Sequence, residues 1–272
     1  LIMRKTGLIN LFIIFSEEII VFDSCNSNRG LFKVNIMILG PAGSGKSLLT
    51  KSFSDYLREE GYNVKVINLD PGCISLPYDC DYDIRSKFTI EEIMRKEGLG
   101  PNGALLKAME KLSKMNIPSF NADFTLIDTP GQLEVFIFHK AGPKIAGKLK
   151  NSIGVFIIDA TIGVKDLPAA YLYSLATRYR LGIEMINVIN KVDLLEEGEA
   201  EKVKAYLINP ASQAKKIKPK GMLSDIYIPL SELLQKVVPA QRVLLLSAKY
   251  KIGFSELLDM LYEVKCACGD LT

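Results

Sequence analysis

Six short apolar runs punctuate this chain, and turns and helix-like text alternate with them. The first is "KVNIMIL", Lys33 to Leu39, followed by a glycine-rich turn. Behind it, "SLLTKSFSDYLREE" carries Leu49, Phe53, Tyr56 and Leu57 on one face of a helix. Further strands are predicted at Asn63–Leu69, Asp123–Asp128, Ser152–Asp159, Ile183–Asn190 and Arg242–Ala248. Helical spacing recurs in "TIEEIMRKEG" and "ALLKAMEKLSKM", and a closing helix spans about Phe254 to Val264. Near-continuous Val, Ile and Leu in a strand means that both of its faces are covered. The expected fold is therefore α/β: a doubly wound, mostly parallel sheet with helices on both faces.

Domain organisation follows from what does not fit that alternation. Residues 1–32 hold two apolar runs, "LINLFIIF" and "IIVF", interrupted by "SEE". Neither approaches the roughly 20 residues needed to span a bilayer. This segment is read as an N-terminal extension, either poorly ordered or an upstream addition of the gene model. Residues 33–272 are read as one domain with two inserts, at about 98–103 and about 194–240. The second insert contains "AKKIKPKG", read as a solvated loop.

Composition narrows the class. The chain has 272 residues, 48% of them hydrophobic and 24% charged, with a formal net charge of +3. That charge is too weak to argue for nucleic acid or an acidic membrane as partner. There are 5 cysteines in no C-x-x-C arrangement and 1 histidine, so a zinc site is not expected. The unpatterned cysteines fit a reducing, cytoplasmic setting. The histidine, His139, lies in an amphipathic segment and reads as a packed side chain.

The turn after the first strand is "GPAGSGKS", Gly40 to Ser47, and fits G-x-x-x-x-G-K-[ST]. Gly40, Gly43 and Gly45 allow conformations and close approaches that a side chain blocks. Their N–H groups, with those of Ser44 and Leu48, can form an anion nest at a helix N-terminus. Lys46 supplies a point charge for the β- and γ-phosphates, and the Ser47 hydroxyl is a hard ligand for Mg²⁺. Such a loop needs an acid at a neighbouring strand end. Asp128, in "LIDTPGQ", supplies it, as a metal ligand and as an orienter of water. Gly131 can offer its N–H to the γ-phosphate and Gln132 can position the attacking water. Asp70, in "NLDPG", stands at the end of the second strand. It reads either as part of the metal shell or as a turn cap before Pro71.

Base choice is written in "NKVD", Asn190 to Asp193, after the fifth strand. The Asp193 carboxylate can accept from guanine N1–H and the 2-amino group, and adenine offers neither donor there. Asn190 would brace the base loop, and the Lys191 stem would cover the ring. In "SAK", Ser247 to Lys249, the Ala248 N–H would reach guanine O6.

Together "GPAGSGKS", "NLDPG", "DIR" (Asp83 to Arg85), "GPNG", "DTPGQ", "NKVD" and "SAK" resemble the GPN-loop GTPases, from Lys33 to about Val264. The resemblance implies a fold like that of signal-recognition and partition-type P-loop proteins, and GTP/GDP with Mg²⁺ as ligands. It also implies a homodimer in which Asn102, on a protruding Gly-Pro-Asn turn, reaches the γ-phosphate site of the partner in trans. Eukaryotic relatives are linked to RNA polymerase assembly, so a protein client is implied. Glu134 matches a family position, while Ser86 stands where the family carries an acid after the Arg of "DIR". Two other classes stay open: a P-loop kinase acting on a small molecule or nucleotide, and a nucleotide-binding adaptor with little hydrolysis.

Overall fold

The computed structural model describes residues 33–216, 223–237 and 243–269, together with two strands near the start of the chain. Those strands, β1 (Phe12–Phe15) and β2 (Glu18–Val21), pair antiparallel. The rest of the proposed N-terminal extension lies outside the described residues.

The main sheet has 7 strands: β3 (Val34–Leu39), β4 (Val64–Asn68), β5 (Tyr82–Asp83), β6 (Phe124–Asp128), β7 (Ser152–Asp159), β8 (Glu184–Asn190) and β9 (Leu244–Leu245). Their order is β5-β4-β6-β3-β7-β8-β9, and every pairing is parallel. This sheet starts in its middle with β3, builds one side, then returns past β3 to build the other. A doubly wound sheet of this kind opens a crevice beyond the carboxyl ends of its central strands.

Side chains alternate between the two faces, as the pleat requires. Val34, Ile36 and Ile38 of β3 join Phe124 and Leu126 of β6 and Val155 and Ile157 of β7 on one face. Helices α1 (Lys46–Glu59) and α10 (Phe254–Gly269) cover it through Leu49, Phe53, Leu57, Phe254, Leu257 and Leu261. Met37, Ile127, Phe156 and Ile189 face the other way, towards a second core. That layer is built from α2 (Ile90–Glu97), α3 (Pro101–Lys114), α4 (Leu133–Phe138), α5 (Ala141–Lys148) and α6 (Leu167–Leu181). Helices α7 (Glu199–Ile208), α8 (Pro210–Lys216) and α9 (Leu223–Val237) occupy the connection between β8 and β9.

Three expectations change. A seventh strand, β5, was not expected, because two residues carry no apolar pattern to read. Of the last expected strand, Arg242–Ala248, Arg242 lies outside the described residues, and among the others Leu244 and Leu245 alone pair with β8 as a strand. The Gly100–Gly103 stretch is not a protruding turn. Gly98, at φ 63, ends α2 in the left-handed conformation, and Gly100 caps α3 with Pro101 at its start. Proline suits that position because its missing N–H would have no helical partner. Asn102 and Gly103 therefore lie in the first turn of a helix.

Phe53 anchors the first core, fully buried and edge-on to Phe254 at 5.3 Å between centroids. Phe53→Ala is expected to lower stability by roughly 3–5 kcal/mol in a denaturant melt. A loss under about 1 kcal/mol would mean that α1 and α10 are not joined through this ring.

Candidate functional site

Five loops, those after β3, β4, β6, β8 and β9, converge at the carboxyl ends of the strands. The loop after β3 runs from Gly40 into α1, whose first residue is Lys46. Gly43 and Gly45 have φ of 78 and 100, which a side chain rarely tolerates. At Gly45 a second constraint acts: an added Cβ would stand 2.6 Å from Asn190 Nδ2.

Asn190 explains that closeness. Its Nδ2 donates to Ser44 O at 3.0 Å, and its Oδ1 accepts the Ala248 N–H at 3.0 Å. One buried carboxamide thus ties the glycine loop, the end of β8 and the loop after β9 together. Ala248 N–H is committed to this bond, so it is not the free donor that the sequence suggested for guanine O6. Asp193 accepts from the Ser247 hydroxyl at 2.5 Å. Lys191 is left-handed, at φ 68, and its ammonium pairs with Asp159 at 2.6 Å. Its head is therefore tethered to the end of β7 rather than left to water.

Lys46 is buried and curls back over its own loop. Its Nζ donates to Gly40 O (2.9 Å), Pro41 O (3.0 Å) and Gly131 O (3.3 Å). Burial lowers its pKa, opposed by the charges of Asp128, Asp70 and Glu134. Ser44 is buried and its hydroxyl has no hydrogen-bond partner. Leu48 lies partly exposed in the first turn of α1.

Asp128, at the end of β6, is 1% exposed. Burial pushes its pKa up to about 6, and the nearby Ser47 and Tyr78 hydroxyls and Lys46 ammonium hold it from rising further. Oδ2 accepts the Tyr78 hydroxyl at 2.7 Å, and Oδ1 has no hydrogen-bond partner. Asp70 accepts two backbone N–H groups, from Gly72 at 2.8 Å and Gly131 at 2.9 Å. It is a turn cap and also a clasp across the loops after β4 and β6. Gly131 N–H is thereby directed at Asp70. Gln132 stands exposed immediately before α4, and Glu134 accepts the Tyr173 hydroxyl at 3.2 Å.

The donor set fits Mg²⁺. Ser47, Asp128 and Asp70 offer hard oxygens, and an unpartnered buried carboxylate oxygen is the feature a hard cation would satisfy. Among the described residues no group of three or more His, Cys, Asp or Glu could hold a metal ion without other ligands. A nucleotide phosphate and water would have to complete the shell.

Tyr78 was not read from the sequence, and Arg85, read there as part of "DIR", was given no role. Tyr78 was passed over in a loop of mixed polarity, and its target lies 50 positions away. Arg85 is a brace: it forks onto Asp83 at 2.7–3.1 Å and donates to the carbonyls of Cys73 and Ile74. Asp83 also accepts from Asn68 at 2.9 Å. His139 accepts the Ala141 N–H through Nδ1 at 3.2 Å, a local structural role.

A glycine-lined loop opening a lysine-bearing helix, with an acid at the adjacent strand end, defines a P-loop nucleotide-binding protein. Residues 38–267 match the family described as "Conserved hypothetical ATP binding protein". The chain is 39% identical over 249 residues to GPN-loop GTPase PAB0955 of Pyrococcus abyssi, covering 87% of this chain and 99% of that protein. The crystal structure of that GTPase in apo form matches with a TM-score of 0.76 at 37% identity, over 86% of this chain and 98% of that one. GPN-loop GTPase QQT1 of Arabidopsis thaliana is 33% identical over 174 residues, 58% of each chain. The chain belongs to the GPN-loop GTPase family.

The buried charge of Asp128 costs stability. Its pKa is raised on folding, so the folded state holds the proton more tightly. The penalty is absent below about pH 4, grows towards pH 6 and is constant above it. Asp128→Asn is expected to stabilise the nucleotide-free protein at pH 7 by up to roughly 3 kcal/mol. In melts across pH, that advantage should fade between pH 6 and 4. An advantage that grows as pH falls would contradict the assignment.

Proposed function

We propose that this chain binds Mg²⁺ with GTP, hydrolyses GTP to GDP and phosphate, and works as a nucleotide-switched homodimer in assembling or targeting a protein complex. The Asn190 bridge carries this reading. It locks the phosphate loop to the segment that bears Asp193, so that phosphate and base are read at a fixed spacing. The amides of Gly40, Gly43, Ser44, Gly45 and Leu48 and the charge of Lys46 would cradle the phosphates. Ser47 and Asp128, with Asp70 behind them, would hold Mg²⁺, which supplies neutralising charge to the phosphate oxygens. Gln132 is free to turn towards an attacking water, and Gly131 N–H would have to exchange Asp70 for a γ-phosphate oxygen. That exchange supplies a switch, because Asp70 joins the two loops that must respond.

Asn102 supports the trans contact by its position. It is exposed in the first turn of α3, and its carboxamide makes no hydrogen bond among the described residues. The Lys46, Asp128 and Gln132 set favours hydrolysis over an adaptor role. No helix among the described residues is long and apolar enough to cross a membrane. With free thiols at Cys73 and Cys80, this supports a cytoplasmic setting. An RNA polymerase or another multisubunit assembly is the class of client the family suggests.

Calorimetry decides the base, since the matching family description says ATP. GTP is expected to bind on the order of 100-fold more tightly than ATP, and Asp193→Ala to remove most of that margin. Equal affinities in the parent would refute the guanine assignment. For the dimer, turnover per subunit should rise with protein concentration at high dilution, and Asn102→Ala should depress it about tenfold or more. Turnover that ignores both concentration and Asn102 would refute the trans contact.

A further inference from the structure

Resting on the reading of Asp128 as the acid for the magnesium nucleotide, we propose that Tyr78 is the positioning residue that aims its carboxylate. The two oxygens of Asp128 are treated differently. Oδ2 takes a 2.7 Å bond from the Tyr78 hydroxyl, whereas Oδ1 is buried with no partner. A hydroxyl-to-carboxylate bond of that length is among the stronger ones. With Oδ2 held, the carboxylate cannot turn without breaking the bond. Released, it would rotate to find donors for both oxygens, and the Ser47 hydroxyl and Lys46 ammonium are at hand. Tyr78 thus keeps Oδ1 unspent.

Tyr78 packs its ring against the core beneath α1 and α10, and its hydroxyl fixes it to Asp128. Residues 71–81 form a strap from the end of β4 to the start of β5. One end is clamped by Gly72 N–H on Asp70 and by Arg85 on the carbonyls of Cys73 and Ile74. The other is clamped by Asp81, which exchanges bonds of 2.8 and 2.9 Å with Val66. Between the clamps, the backbone of residues 76–80 makes no hydrogen bond among the described residues. A cavity of about 270 Å³, lined by Lys51, Arg58, Leu76 and Tyr78 among others, leaves the strap unsupported on one side. The middle of the strap is therefore fastened by the packing of Tyr78 and Cys80 and by the hydroxyl bond that aims Asp128.

Tyr78→Phe keeps the ring and removes only the donor. The test is the affinity of the full chain for GTP by calorimetry, in Mg²⁺ and in EDTA. The variant should match the parent in EDTA and lose roughly 10- to 100-fold of the enhancement that Mg²⁺ gives. Turnover should fall over the same range. Leu76→Ala, a change in the same strap that spares the hydroxyl, should keep the parent's enhancement. The proposal is overturned if Tyr78→Phe retains the full enhancement, or if Leu76→Ala loses as much as Tyr78→Phe. A parent that binds GTP no better with Mg²⁺ than with EDTA overturns the magnesium reading beneath it.

Discussion

The architecture of this site depends on one carboxamide. Asn190 donates its N–H to the glycine loop, and its oxygen accepts the Ala248 N–H from the loop after β9. Both bonds are buried, where an unmade polar contact is costly and a made one is rigid. Gly45 is part of the same constraint, because any side chain there would collide with the carboxamide. The phosphate loop is thus set by backbone conformation and by a bond that arrives from the end of β8, 146 positions further along the chain.

A second economy runs through the acids at the strand ends. Asp70, Asp128 and Asp159 each end or follow a parallel strand, and each meets a different kind of partner. Asp159 takes the lysine of the base loop, and Asp70 takes two backbone N–H groups. Asp128 alone is buried with an oxygen to spare. Holding that charge out of water weakens the fold, a cost typical of sites shaped for function rather than for stability. Lys46 shows the converse: a buried cation satisfied by three carbonyls while it remains near the acids.

Much of this was legible in the sequence because central parallel strands leave a continuous apolar trace. β3, β4, β6, β7 and β8 fall where their runs of Val, Ile and Leu stand. The chemistry at their ends was legible because each motif needs particular residue types at fixed spacing. What escaped was non-local or too short. Two residues make β5, and no periodicity exists at that length. Pro101 was read as part of a turn, but it is the first residue of α3, where proline is equally at home. Tyr78 acts through a bond to a residue 50 positions away, and Arg85, although it forks onto nearby Asp83, braces carbonyls 11 and 12 positions back, so local pattern carries no sign of either role. The commitments of Ala248 and Lys191 to Asn190 and Asp159 likewise depend on loops brought together only by the folded sheet.

The central claim is that one rigid frame, pinned by Asn190, reads phosphate and guanine together. A crystal structure of the chain with Mg²⁺ and a non-hydrolysable GTP analogue tests it most directly. The account predicts phosphates in the Gly40–Ser47 loop, the metal beside Asp128 Oδ1, the base edge on Asp193, and both Asn190 bonds intact. A base lying away from Asp193, or an Asn190 side chain that abandons the glycine loop to bind the ligand, would contradict it.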